Sequence, residues 1–459
     1  MLLFMSFIAA SVIIAIPSVK AQPSEVWVDD DFTPATPGWG TTHFNKIQDG
    51  IDAVANGGTV NVAAGTYTAT SIASIVITKP LTLSGESMYN TIIDGGMWGA
   101  SGAGWPKGIH SYADNVIIEQ FTIQGFTGDL ISTGGYGVVF RDYAHDDETQ
   151  GETYIYYTNC ILRNVRVLDC YSSIYALVHT YLTIEDCFVQ DSLSDGMFIA
   201  RYSSNPTITG NTVINSGDHG IWVGKCWKGL GPSNDAIISH NHVDGAREGG
   251  ITFCASSGAT ITDNTVTNVK GEEPPAGYSI GAISLKDGVS NVVVSGNNIY
   301  GNDGLGTGSG RGIGIDGSWS DIDINHNFIE NNAGGGIKVM GSGTGYFRCN
   351  SNCISSNTGY GAENTIGVML DFENNYWGHY TGPYHPTTNP AGQGDQVSDD
   401  VDYDPWLSYC PMRPPVGGIW VPINKTELLA PWIGLASMVS VVAVTASIVY
   451  VKHRKKKQN

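Results

Sequence analysis

"ITGNTVINS" occupies residues 208–216, "ITDNTVTNV" residues 261–269 and "VSGNNIYGN" residues 294–302. Each sets one asparagine in the frame apolar-x-x-Asn-x-apolar. The central position of that frame can be followed through Val165, Cys187, Asn211, Asn241, Asn264, Asn297, Asn327, Asn352 and Asn375. Successive steps are 22, 24, 30, 23, 33, 30, 25 and 23 residues, a unit of 22–25 that lengthens where a loop is inserted. A recurring period of this size marks a repeat architecture. Within the units the apolar runs are short and β-like (IWVG, ITFC, VVVSG, IDINH) and are separated by Gly, Asn, Ser and Asp, the residues of turns. One unit cannot bury its own apolar side, whereas stacked units share a continuous core.

The expectation is an all-β parallel β-helix, a solenoid over residues 60–378. The asparagines form a structural ladder, occupying one turn on successive coils so that their amides bond along the axis. Eleven or twelve coils at about 4.8 Å each make a rod roughly 55 Å long.

An open solenoid end is an unpaired sheet edge and needs a cover. At the start, HFNKIQDGIDAVAN (43–56) puts Phe44, Ile47, Ile51 and Val54 on one helical face, predicting a capping helix within an N-terminal cap over 22–59. Gly50 weakens that helix without cancelling its periodicity. At the far end, the segment 373–407 is rich in Pro and Gly, and its Tyr376, Trp377 and Trp406 can cover the last coil. This gives a C-terminal cap over 379–408.

The segment VWVDDDF (26–32), the HFNKIQDGIDAV...GGTVNVAAGTY stretch, the asparagine-bearing coils and the NYWG...VDYDPWL ending resemble secreted right-handed parallel β-helix proteins of archaea and bacteria. These form the broad pectin-lyase-like group, including its NosD-like repeat family. The resemblance covers about residues 25–408 and implies a right-handed fold. It does not select one activity, because the group includes lyases, hydrolases, epimerases, adhesins and surface proteins. The 11 scattered histidines and nine unclustered methionines do not support the copper association of the NosD-like name.

Ile174, Met197 and Ile221, spaced by 23 and 24 residues, read as equivalent inward positions. The next residues, Tyr175, Phe198 and Trp222, then stand outward on adjacent coils. Ser172, Asp195 and His219 lie two positions before the inward residues. Arg201 and Lys225 lie three positions after Phe198 and Trp222. A flat aromatic strip edged by polar groups suits sugar rings, so Tyr175, Phe198, Trp222 and Lys225 are the candidate substrate-binding residues. Asp195, Asp218 and His219, with Arg201, are the catalytic candidates. Carboxylates serve glycoside hydrolysis, and a His or Arg can abstract a proton in uronate elimination. Against this, Asp-Gly and His-Gly pairs also recur simply as β-helix turns. The excursion 125–158, which contains His145-Asp146-Asp147-Glu148, is either a lid over the strip or a wall beside it.

No cofactor is required by these motifs, and calcium is an optional ligand for Asp29–Asp31 and for the acidic run 399–404. GTGSGRGIG (306–314) lacks the Lys-Ser/Thr of a phosphate loop, which excludes a nucleotide. His240, His242 and His326 sit on separate coils, and the Cys349/Cys353 pair has no second pair, so neither set reads as a metal site. The eight cysteines leave the disulfide connectivity open.

The two ends predict export and anchoring. Residues 1–21 read as a signal peptide, 409–431 as a stalk with an N-glycosylation acceptor at Asn424, 432–451 as a transmembrane helix, and 452–459 as a basic cytoplasmic tail. The expected location is therefore a single-pass cell-membrane protein with a large extracellular domain. Residues 22–451 carry 43 acidic and 17 basic side chains, a difference of −26, which excludes nucleic acid as a partner. The leading function is an anchored surface rod that recognises a polysaccharide or a cell-surface protein. The alternative is an extracellular polysaccharide lyase or glycoside hydrolase acting on the aromatic face.

Overall fold

The computed structural model describes residues 21–71, 73–99, 105–128, 134–140, 156–224, 231–271, 281–303 and 310–411. They lie in one compact unit, residues 1–412; a second unit spans 413–459. The β-like runs of the repeat become short parallel strands in three long sheets, with 15, 11 and 13 strands among the described residues. One coil shows the order. Thr207–Thr209 lies in the first sheet, Thr212–Ile214 in the second and Ile221–Gly224 in the third, before Ile237–Ser239 returns to the first. The result is a right-handed parallel β-helix, the hand expected when twisted parallel strands are joined by crossovers.

Register is set by the repeat. Ile208 pairs with Ile238, Ile238 with Ile261, Ile261 with Val294 and Val294 with Ile324. All five are fully buried. The three-residue strands of the first and second sheets are separated by a single residue in the left-handed region, followed by one inward residue. His240, Asp263, Gly296 and His326 hold φ of 56°, 55°, 69° and 55° immediately before Asn241, Asn264, Asn297 and Asn327. Thus the strained turn residue is the one before each ladder asparagine. Asp, Asn, His and Gly recur there because other side chains resist that conformation.

The ladder asparagines are buried and fully bonded. Asn241 Nδ2 donates to Asn264 Oδ1 (3.0 Å) and to the Ile208 carbonyl (2.9 Å). Its Oδ1 accepts from Asn211 Nδ2 (2.9 Å) and from the Asn211 backbone N–H (3.0 Å). All four hydrogen-bonding positions of the amide are used, and the same linkage continues from Asn264 through Asn297, Asn327 and Asn352 to Asn375. A second, shorter ladder lies five residues further along each coil. Asn302, Asn332 and Asn357 bond in series and end on Asp395, whose Oδ2 accepts from Asn357 Nδ2 at 2.9 Å. Burial holds the Asp395 carboxyl above its ordinary range, opposed by the N–H groups of Asn357 and Ser356 that bond to it.

The N-terminal helix is Ile47–Ala53, shorter than its apolar pattern because Phe44 instead joins the strand His43–Phe44, paired with Trp27 and Val28. Gly50 is required where the helix meets the first coil: a Cβ there would lie 2.7 Å from Val28 Cγ2. At the other end Trp377 is fully buried, Trp406 packs against the core, and Cys353–Cys410 forms a disulfide across 57 residues.

The expectation of a transmembrane helix over 432–451 is corrected, and with it the membrane partner and the single-pass membrane location. No helix among the described residues is long and apolar enough to cross a membrane. The longest described helix has seven residues, against the roughly 20 that a span requires. An apolar run establishes hydropathy, whereas a span also needs a continuous helix. The run itself, the signal region 1–20, Asn424 and the tail lie outside the described residues.

Two predictions follow from the interior. Asn264→Ala removes the partners of the Asn241 amide, the Asn241 N–H and the Ile238 carbonyl. Each buried orphan costs about 1–3 kcal/mol, so urea unfolding should show a loss of roughly 3 kcal/mol. His179 is buried against Phe140 and Tyr157, with no hydrogen-bond partner on either ring nitrogen among the described residues. Burial lowers its pKa from 6.5 to about 3. Below 6.5 the unfolded chain takes up a proton that the native state refuses, so this contribution is full above that value and shrinks as pH falls towards 3. The slope is about 1.4 kcal/mol per pH unit. His179→Phe should flatten the loss of stability between pH 7.5 and pH 5 by about 2 kcal/mol; an unchanged slope would show that the native imidazole is protonated.

Candidate functional site

The in-register coils align outward residues of the third sheet into a row. Tyr175, Phe198 and Trp222 pair directly across Ser172–Leu177, Met197–Ala200 and Ile221–Gly224. All three side chains are half-buried. Tyr175 and Phe198 stack at 5.1 Å and 14°, and Phe198 meets Trp222 edge-on at 5.3 Å and 76°. The row runs further than the sequence spacing suggested. Tyr136 lies 4.8 Å from Tyr175, and Trp105 stacks on Tyr136 at 5.8 Å and 15°. Tyr136 was missed because it aligns with Ser172, three positions before the aromatic register at Tyr175.

At the Trp222 end the row meets a group of acids and a histidine. Asp195 and His219 are both buried, and the His219 ring sits 4.2 Å from that of Trp222. Asp195 Oδ1 accepts the His219 backbone N–H at 3.2 Å and lies 3.3 Å from His219 Nδ1. That second approach is an electrostatic contact too poorly aligned to count as a hydrogen bond. Glu248 Oε2 approaches the same nitrogen to 3.9 Å. Both carboxylates approach the ring from its Nδ1 side, and Nε2 lies on the other side. Gly249 keeps the imidazole in place, since a Cβ there would stand 3.0 Å from His219 Cδ2.

Asp218 faces the rim. Its Oδ2 accepts from Ser194 Oγ at 2.7 Å, and its Oδ1 pairs with Arg247 Nη2 at 3.2 Å. Arg247 also reaches Glu248 Oε1 at 3.4 Å and donates through Nε to the Gly217 carbonyl at 2.6 Å. Neither Arg247 nor Glu248 was identified from sequence. They lie on the coil that follows the 30-residue step from Asn211 to Asn241, and only that spacing could have carried the register forward to them.

Arg201 does not join this group. It follows the strand Met197–Ala200 whereas Asp195 precedes it, so their Cα atoms are about 20 Å apart along an extended chain. Its side chain is buried, and its backbone lies in the left-handed region at φ 52°. Lys225 and most of the 125–158 excursion lie outside the described residues.

Among the described residues no group of three or more His, Cys, Asp or Glu side chains could hold a metal ion. Within the Asp29–Asp31 run, Asp29 Oδ1 accepts the Asp31 N–H at 3.0 Å, a local turn bond. The free thiols Cys160, Cys170, Cys187 and Cys349 are buried. Burial pushes Cys170 and Cys187 up to about 12, which removes them as nucleophiles.

Residues 107–284 match the family profile described as a right handed beta helix region. Among solved structures the chain is similar to the A-modules of two Azotobacter vinelandii mannuronan C-5 epimerases. The AlgE4 module has 18% identity and a TM-score of 0.55, with 80% of this chain and 93% of that chain covered. The AlgE6 module has 19% identity and a TM-score of 0.54, with 80% and 95% covered. The Dettilon tailspike protein has 15% identity and a TM-score of 0.50, with 81% and 68% covered. No curated protein sequence matches the chain. These findings support a right-handed parallel β-helix, and they do not single out the NosD-like repeat family. The fold is one that this chain shares with carbohydrate-acting enzymes.

Proposed function

We propose that the protein is an exported enzyme acting on an extended polysaccharide laid along the third sheet, of the lyase or glycoside-hydrolase class. The observation that carries this reading is the aromatic row Tyr136–Tyr175–Phe198–Trp222 ending on Asp195, His219 and Glu248. Aromatic faces take the apolar faces of sugar rings, and polar groups at the edges take hydroxyls. The disulfide Cys353–Cys410 fits an oxidising compartment.

Between the two chemistries, the placement of the acids favours elimination. Hydrolysis needs two carboxyl groups facing each other across a glycosidic oxygen. Here Asp195 and Glu248 both address one imidazole nitrogen. In elimination, His219 at the floor of the row takes the proton next to a uronate carboxylate. The C4–O bond breaks as the double bond forms, the departing oxygen takes a proton from water, and the imidazolium returns its proton to solvent. Arg247, about half exposed on the rim, supplies positive charge for the substrate carboxylate. The fold likeness to enzymes named for C-5 epimerisation of mannuronan supports a uronate polymer as substrate.

The test is to incubate the full chain with neutral and uronate polysaccharides, with and without calcium, and to measure new reducing and unsaturated ends. Unsaturated ends are expected, with kcat reduced at least 100-fold in His219→Ala and Asp195→Asn. Phe198→Ala/Trp222→Ala should mainly raise KM. Equal turnover in the wild type, His219→Ala and Asp195→Asn would remove the catalytic assignment, and binding with no new ends would make the row a recognition surface.

A further inference from the structure

A second concave site lies on a different face, at the N-terminal end of the first sheet. Strands Glu25–Val28, Gly58–Val62 and Leu81–Gly85 pair in sequence there, aligning Trp27 with Asn61 and Asn61 with Ser84 on the outer surface. With Glu25, Phe32 and Glu86 these residues line a groove of about 340 Å³, within the size range of small-ligand sites. None of the residues lining it is basic.

The groove is built in advance of any ligand. Trp27 is 39% exposed, and its ring is held by stacking on His43 at 5.4 Å and 19°. Phe32 packs on the same imidazole at 5.1 Å. Glu25 Oε1 accepts from Asn61 Nδ2 at 2.8 Å, and Glu86 Oε2 accepts the Ala64 N–H at 3.1 Å. Each carboxylate is therefore oriented through one oxygen and keeps acceptor capacity on the other. Ser84 Oγ donates to Glu119 and retains its lone pairs. The local field is negative. The neighbouring Tyr67 hydroxyl is held well above its ordinary range, first by burial and then by Asp30, Asp29 and Glu86.

We propose that this groove binds a protonated amino sugar. Two carboxylates and an open indole face select an organic cation, by charge and by cation–π attraction. The flat ring also suits the C–H face of a sugar, and Asn61 and Ser84 suit its hydroxyls. Because the groups are already positioned, little ordering cost opposes binding. The site is separate from the Asp195–His219 face and does not depend on its activity.

The experiment is calorimetric titration of the full chain with a glucosamine tetramer, its fully N-acetylated counterpart and a lysine tetrapeptide, below the pH at which the amines titrate. The glucosamine tetramer is expected to bind at least tenfold more tightly than either of the others, and to weaken as salt is raised. Glu25→Gln/Glu86→Gln should lose at least tenfold, with thermal unfolding unchanged because both side chains are exposed. Trp27→Ala should lose affinity that Trp27→Phe largely restores, and Trp222→Ala should leave binding unchanged. Equal affinity for the acetylated tetramer, no binding of the glucosamine tetramer, or full affinity in Glu25→Gln/Glu86→Gln would overturn the proposal. Equal binding of the lysine peptide would overturn the sugar assignment, and loss in Trp222→Ala would place the ligand on the third sheet instead.

Discussion

The amide of each ladder asparagine bonds to the next coil through the same atoms, and the rest of the structure depends on that linkage. A buried amide is costly unless every donor and acceptor is met. Here each is met only when coils stack in register at the spacing of parallel strands. Asn241 shows why: its two donors and two acceptor positions are spent on the coil before it and the coil after it. A slip of one residue would leave all four unmet and turn the isoleucines outward. Polar side chains in the core thus enforce register while Ile and Val supply most of the burial.

A ladder has ends, and the ends need different chemistry. The first chain of amides stops at Asn375, whose Nδ2 turns back to the Cys349 and Phe372 carbonyls. The second stops on Asp395, an acceptor with no hydrogen to offer, which suits a position receiving three N–H groups and donating none. Register also creates the candidate sites. Tyr175, Phe198 and Trp222 are separated by 23 and 24 residues, yet the coil geometry brings their rings to about 5 Å. The same alignment brings Trp27, Asn61 and Ser84 together on the first sheet.

Sequence reasoning reached the first ladder because the asparagine frame repeats through an uninterrupted apolar context. It missed the second because that position reads Ser192, Ser216, Ala246 and Val269 before it becomes Asn302. It reached Asp195 and His219 through a constant step, and stopped where the step changed from 24 to 30 residues, one coil short of Arg247 and Glu248. Arg201 was grouped with Asp195 on sequence proximity. A strand is fully extended, however, so six residues separate the two by most of a sheet's width.

The sequence by itself determined the period, the inward and outward alternation and the residues of the first ladder. These follow from local rules: turn residues tolerate the left-handed region, and an apolar residue must face inward on every coil. Only the tertiary structure decided which outward residues meet across coils of unequal length, which acids share an imidazole, and which cysteines join. Those contacts depend on loops that change the sequence distance between neighbours without changing the 4.8 Å spacing of about one strand. Distance along the chain therefore carries no record of them.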